Sequence, residues 1–171
     1  MLTTRSCRAA VVLVAALALA TAAAQGTWSS TSWTDPVSGD ELAAIATPGT
    51  FGADGRAVVA CAADGTTVFA VEAAAWAALD GEQVTMAYRM DVEPEVTSWG
   101  EWSRAGDGSV VRYVGETGPL EEMLAQLAEA VSPAYFYTLE TTPAGTVAGL
   151  MVLESHGFAE ARASLPCGAG D

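Results

Sequence analysis

The sequence predicts an α+β fold: a mostly antiparallel sheet or sandwich of hairpins, with two helices near the C-terminus and one disulfide. Three observations carry this. Asp64-Gly65 and Gly106-Asp107-Gly108 each separate two β-rich runs, and glycine-containing pairs at such places mark hairpins. Gln83–Asp91 alternates with the period of a strand. The two best helical segments, Pro119–Val131 and His156–Leu165, both follow the first set of strands, an order typical of α+β domains.

Residues 1–24 read as a signal peptide. Arg5 and Arg8 precede the apolar run Ala9–Ala20, and Ala22-Ala23-Ala24 offers small residues for cleavage before Gln25. The run is short for a membrane span, and no later stretch of the sequence is long enough for one. Residues 25–171 then form a single exported domain, periplasmic or secreted.

Trp28–Trp33 is read as the first strand, Asp35-Pro36 to Gly39 as a turn and Glu41–Thr47 as a second strand. Phe51–Arg56 is loop. Ala57–Ala62 and Thr66–Glu72 flank the Asp64-Gly65 hairpin, and Ala73–Asp80 reads as one or two helical turns around Trp76. In Gln83–Asp91, Val84, Met86, Tyr88 and Met90 share one face, and Thr85, Ala87, Arg89 and Asp91 share the other. Pro94 ends or edges that strand. Thr97–Arg104 and Ser109–Val114 form the next hairpin.

Pro119–Val131 is read as a helix with Pro119 at its first position and Glu121 and Glu122 in its first turn, where the helix dipole favours acids. Leu120, Met123, Leu124, Leu127, Ala128 and Val131 make its apolar stripe. Pro133 stops it. Ala134–Thr141 and Thr146–Leu153 are two more strands, and Ser155 is placed to cap the last helix, which Pro166 ends.

Cleavage before Gln25 leaves two cysteines, Cys61 and Cys167. An exported chain meets oxidising conditions, so these two are expected to pair. Closing a loop of about 100 residues is worth roughly 4–5 kcal/mol on the chain-entropy account.

The chain has 21 acidic residues against seven arginines and no lysine, a formal charge of −14. Such a surface repels nucleic acid and anionic lipid, so neither is expected as a partner. With arginine scarce and carboxylates abundant, each arginine is expected to find an acid. The abundant alanine reads as compositional drift.

No catalytic constellation stands out. His156 is the only histidine and lies outside any nucleophile-elbow pattern. A zinc site would need more His or Cys ligands than the sequence supplies. Asp91, Glu93 and Glu95 do not follow a calcium-loop spacing, and neither a cofactor nor a metal is expected. The mixture of Tyr88, Arg89, Asp91, Trp99 and Trp102 in one stretch is the composition of an interface hot spot, and these five are the candidate interaction residues.

The order of features resembles the C-terminal core of the type VI secretion-associated VasI/EvfG family of exported bacterial proteins. The resemblance is carried by Trp33 with Asp35-Pro36, by Cys61 with its hairpin, by VTMAYRMD followed by SWGEWS, and by HGFAEARASLPC. It places Tyr88, Arg89, Asp91, Trp99, Gly157 and Cys167 at the family's positions, and it implies no catalytic residue. The expected function is therefore non-enzymatic: an envelope protein acting through protein contacts, with an envelope protein as partner and a secretion-system accessory role in view. A carboxylate-dependent hydrolase and a small-ligand or cation-binding module are the alternatives.

Overall fold

The computed structural model describes residues 27–49, 55–74, 83–90, 97–98, 101–139 and 147–167. The strands are β1 (Ser29–Thr34), β2 (Glu41–Pro48), β3 (Arg56–Cys61), β4 (Thr67–Glu72), β5 (Gln83–Arg89), β6 (Thr97–Ser98), β7 (Trp102–Ala105), β8 (Val110–Tyr113), β9 (Ala134–Leu139) and β10 (Val147–Leu153). Two helices complete the described chain, α1 (Thr117–Glu129) and α2 (Phe158–Ala163). All the pairings are antiparallel, in the order β1-β2-β3-β4-β8-β7-β5-β9-β10, with β6 also on β5.

The turns follow their residues. Asp64 Oδ1 accepts from the backbone N–H and hydroxyl of Thr66, and Asp107 Oδ1 accepts from the N–H of Ser109. Both carboxyls are held below the ordinary aspartate value, Asp64 chiefly by the Thr66 hydroxyl and Asp107 chiefly by the Ser109 side chain, each with the backbone N–H of the same residue second. Gly65, Gly106 and Gly108 take positive φ, as hairpin turns of this kind require. β5 pairs β6 at Ala87↔Ser98 and β7 at Val84↔Trp102. The register slips by one residue between the two pairings, as at a β-bulge.

The central strands are buried on both faces. Along β3, Ala57, Val59 and Cys61 enter the larger core, while Val58 and Ala60 enter a second one. β4 divides likewise, Phe69 and Val71 against Val68 and Ala70. The larger core is roofed by α1, α2, β9 and β10, through Leu120, Met123, Leu124, Leu127, Phe136, Met151, Leu153 and Phe158. A side chain at Gly55 would collide with Met151, so β10 lies close over the start of β3.

Among the described residues, no helix contributes to the second core. The sheet covers it by coiling, so that the turn after β1 reaches the far strands. Trp33 Nε1 donates to Glu72 Oε1 on β4 at 2.7 Å, and Arg112 NH1 on β8 donates to Asp35 Oδ2 at 2.9 Å. A Cβ on Gly106 would stand 3.5 Å from Pro36 Cβ. The enclosed face carries Ala44, Ala60, Ala70 and Ala105, small enough for the backbones to approach. These four alanines pack within the second core.

The Cys61–Cys167 disulfide is formed, joining β3 to the segment after α2 with Cα atoms 5.6 Å apart. α2 is further held by Phe158 edge-on to Trp28, ring centroids 4.7 Å apart, and by the Arg162–Glu121 pair to α1.

Several expected boundaries move. α1 begins at Thr117, two residues before Pro119, so Glu121 and Glu122 fall in its second turn and its first turn holds no acid. Val131 lies beyond its end, 93% exposed, rather than in the apolar stripe. Ser155 does not cap α2 through its side chain. The helix starts at Phe158 after Gly157, which takes φ 78°, and Ser155 contributes its carbonyl to Phe158 N–H. Most of Ala73–Asp80, with Trp76, lies outside the described residues.

Asp35 is the most enclosed charge in the coil. It accepts from Arg112, from Val37 N–H and from the Ser38 hydroxyl. Replacing it leaves Arg112, itself mostly buried, without its counter-ion. Asp35→Ala is expected to lower unfolding free energy by about 3 kcal/mol in urea titration of the oxidised protein. Arg112→Ala should cost a similar amount, and the double variant less than the two combined.

Candidate functional site

The candidate interaction residues separate according to the pleat of β5. Tyr88 turns inward: it is 7% exposed, stacks on Phe136 with centroids 6.0 Å apart, and donates its hydroxyl to Gln126 Oε1 of α1 at 3.2 Å. Trp102 is fully buried, edge-on to Phe69 and to Tyr113. Both are core residues that present almost no surface to a partner. Asp91 and Trp99 lie outside the described residues, as do Glu93 and Glu95.

Arg89 turns the other way and is half-buried. Its cross-strand neighbour is Tyr135 on β9, and Tyr135 in turn faces Val152 on β10. Arg89 and Tyr135 thus stand side by side, backed by the buried Val152, and arginine and tyrosine are residue types enriched at interface hot spots. Tyr135 could not be chosen from the sequence. Its strand was visible there, but the β5–β9 pairing that sets it beside Arg89 was not.

The arginines were expected to pair with acids. Arg56 does so with Glu72, Arg112 with Asp35 and Arg162 with Glu121. Arg104 donates Nε to the Gly108 carbonyl. Arg89 departs from the pattern: its Nε is buried and has no hydrogen-bond partner, and no ion pair holds it among the described residues. Arg112 Nε and Thr47 Oγ1 are also unpaired. Arg112, however, is anchored through NH1, and Thr47 is wholly enclosed. Arg89 combines an unsatisfied nitrogen with a side chain that solvent reaches.

Two open pockets lie elsewhere. One, of about 580 Å³, is lined by Glu101, Tyr113, Val114, Gly115, Glu116 and Pro119. Tyr113 donates its hydroxyl to the Glu116 carbonyl at 2.8 Å. The other, of about 440 Å³, lies between β1 and α2 and includes Ser30, His156, Glu160 and Ser164. Its serines bond to each other at 3.4 Å, and Ser164 also donates to the Ala161 carbonyl. His156 is exposed there and takes part in neither of these two bonds. Among the described residues, no three His, Cys, Asp or Glu side chains cluster to hold a metal ion.

No family model matches the chain, and no curated protein does. The resemblance to VasI/EvfG therefore rests on the residues quoted for it. Among solved structures, the crystal structure of invasion associated protein B from Bartonella henselae is similar, with a TM-score of 0.49 and 13% identity over 80% of this chain and 89% of that one. At that distance the likeness assigns neither an activity nor a partner.

Two outcomes follow from these environments. The Arg89 Nε has no partner and no ion pair holds the side chain among the described residues, so Arg89→Met should leave stability unchanged or raised in urea titration. A loss above about 1 kcal/mol would mean that the fold holds the guanidinium after all. Tyr88 and Tyr113 are raised above the ordinary phenol value of 10.0, first by burial, then by Glu122 for Tyr88 and by Glu116 and Glu101 for Tyr113. Both bind their protons more tightly folded than unfolded. Their contribution to stability is therefore complete below about pH 10 and lost as pH rises through the folded values. Phenolate absorbance should show Tyr88 and Tyr113 titrating late, with one late phenol lost in Tyr113→Phe.

Proposed function

We propose that this chain is an exported, disulfide-stapled domain of the bacterial envelope that works by binding another protein, with the Arg89–Tyr135 row as its contact. The basic and then apolar N-terminal segment supports export. The Cys61–Cys167 bond fits an oxidising compartment. No helix among the described residues is long and apolar enough to cross a membrane.

The observation that carries the reading is the unsatisfied Arg89 Nε. A buried donor left unpaired costs about 1–3 kcal/mol, and in a chain this rich in carboxylates an internal partner would be easy to supply. A protein that brings a carboxylate or carbonyl to the part of the Arg89 side chain that solvent reaches, and an apolar surface to Tyr135, would give the guanidinium the partner the described fold does not supply. The residues shared with the VasI/EvfG pattern make a secretion-system component the first partner to seek.

Affinity capture from the organism's own envelope, with oxidised wild-type protein and the Arg89→Glu and Arg89→Met variants, tests this. A specific partner retained by wild type and lost from Arg89→Glu, with Arg89→Met still folded, is the expected result. Equal capture by all three proteins, or none, would return Arg89 to the sheet's structure and remove the reading.

A further inference from the structure

Among the described residues β1 and β10 are the edges of the sheet, each paired with one strand, β2 and β9. Asp35 N–H donates to the Asp40 carbonyl in continuation of the Thr34↔Glu41 pairing. Hydrogen-bonded pairs alternate along an antiparallel ladder, so Trp33, Thr31 and Ser29 bond inward to β2. The N–H and C=O groups of Ser30, Ser32 and Thr34 therefore point away from the sheet, and no backbone bond to them is found among the described residues.

Proteins usually protect such an edge with charged side chains, proline or a bulge. β1 has none of these. Its sequence is SSTSWT, every residue but Trp33 is exposed, and its register is unbroken. The pocket beside it runs between Ser30 and α2, where His156, Glu160 and Ser164 line it. A strand laid along β1 would set alternate side chains into that space.

We propose that β1 is a docking edge for an extended peptide of basic character from another protein, which adds to the sheet as one more strand. The charge follows from the flanks. Asp40 and Glu41 are exposed at one end of the β1–β2 pair, Glu160 lies in the pocket beside β1, and Arg162, on the same helix, is taken up by Glu121. A second copy of this chain would bring the same acids and a formal charge of −14 to face its own. Backbone bonds supply the affinity in this mode, and side-chain pockets and charge supply the choice of partner.

The test uses the oxidised protein and two end-blocked heptapeptides that alternate Thr with Lys or Thr with Glu. The readout is residue-resolved amide exchange. The Lys peptide is expected to slow exchange at Ser30, Ser32 and Thr34 by more than about tenfold, with Thr31 and Trp33 unchanged because β2 already protects them. The Glu peptide should bind at least about tenfold more weakly. Ser32→Pro removes one outward donor and no β2 bond, and should abolish the protection. Arg89→Glu should leave it intact, which separates this edge from the Arg89 face. Protection that depends on protein concentration without peptide would assign the edge to a second copy. That result overturns the proposal, as does no protection by either peptide or equal protection by both.

Discussion

The coil of the sheet over its own alanine-lined face is the constraint from which the rest of the architecture follows. Ala44, Ala60, Ala70 and Ala105 stand among Leu42, Val58, Val68 and Val110 on that face and leave room for the turn after β1 to fold across it. There Trp33 meets Glu72, and Asp35 meets Arg112. Once that face is sealed by the sheet itself, only the opposite face needs a roof, and α1, α2 and the β9–β10 hairpin all gather there. Larger residues in place of these alanines would push the turn off and expose a second apolar face.

The disulfide belongs to the other side of this arrangement. Cys61 is on the face of β3 that looks toward the helices, and Cys167 follows α2. A six-residue helix has little stability of its own. It keeps its place through Phe158 on Trp28, Arg162 on Glu121 and the bridge to Cys61. These tie the end of the described chain to its first strand, its middle strands and its long helix at once.

Much of this was legible in the residues. Hairpins announced themselves at Asp64-Gly65 and Gly106-Asp107-Gly108 because those turns need specific backbone angles. The pairing of Cys61 and Cys167 followed from their number. Helix ends were less legible: Pro119 is compatible with several first-turn positions, and Gly157 rather than Ser155 sets the start of α2. The site was read only in part. Alternation correctly put Tyr88 and Arg89 on opposite faces. That Trp102 is core, and that Tyr135 flanks Arg89, depends on strand pairings between distant segments, which local patterns do not encode.

The contact of Trp28 with Phe158 and the Glu154 carbonyl has a consequence for how the chain folds as it emerges. It joins residues 126 positions apart for the indole bond, so the first strand's anchor finds its partners only after nearly all of the described chain has been delivered. Loop closure on that scale comes late and slows folding. Until then the indole of Trp28 has neither its acceptor nor its ring partner and stands exposed on an unfinished sheet. A chain delivered vectorially, N-terminus first, would hold that indole open until its last strand and helix arrive.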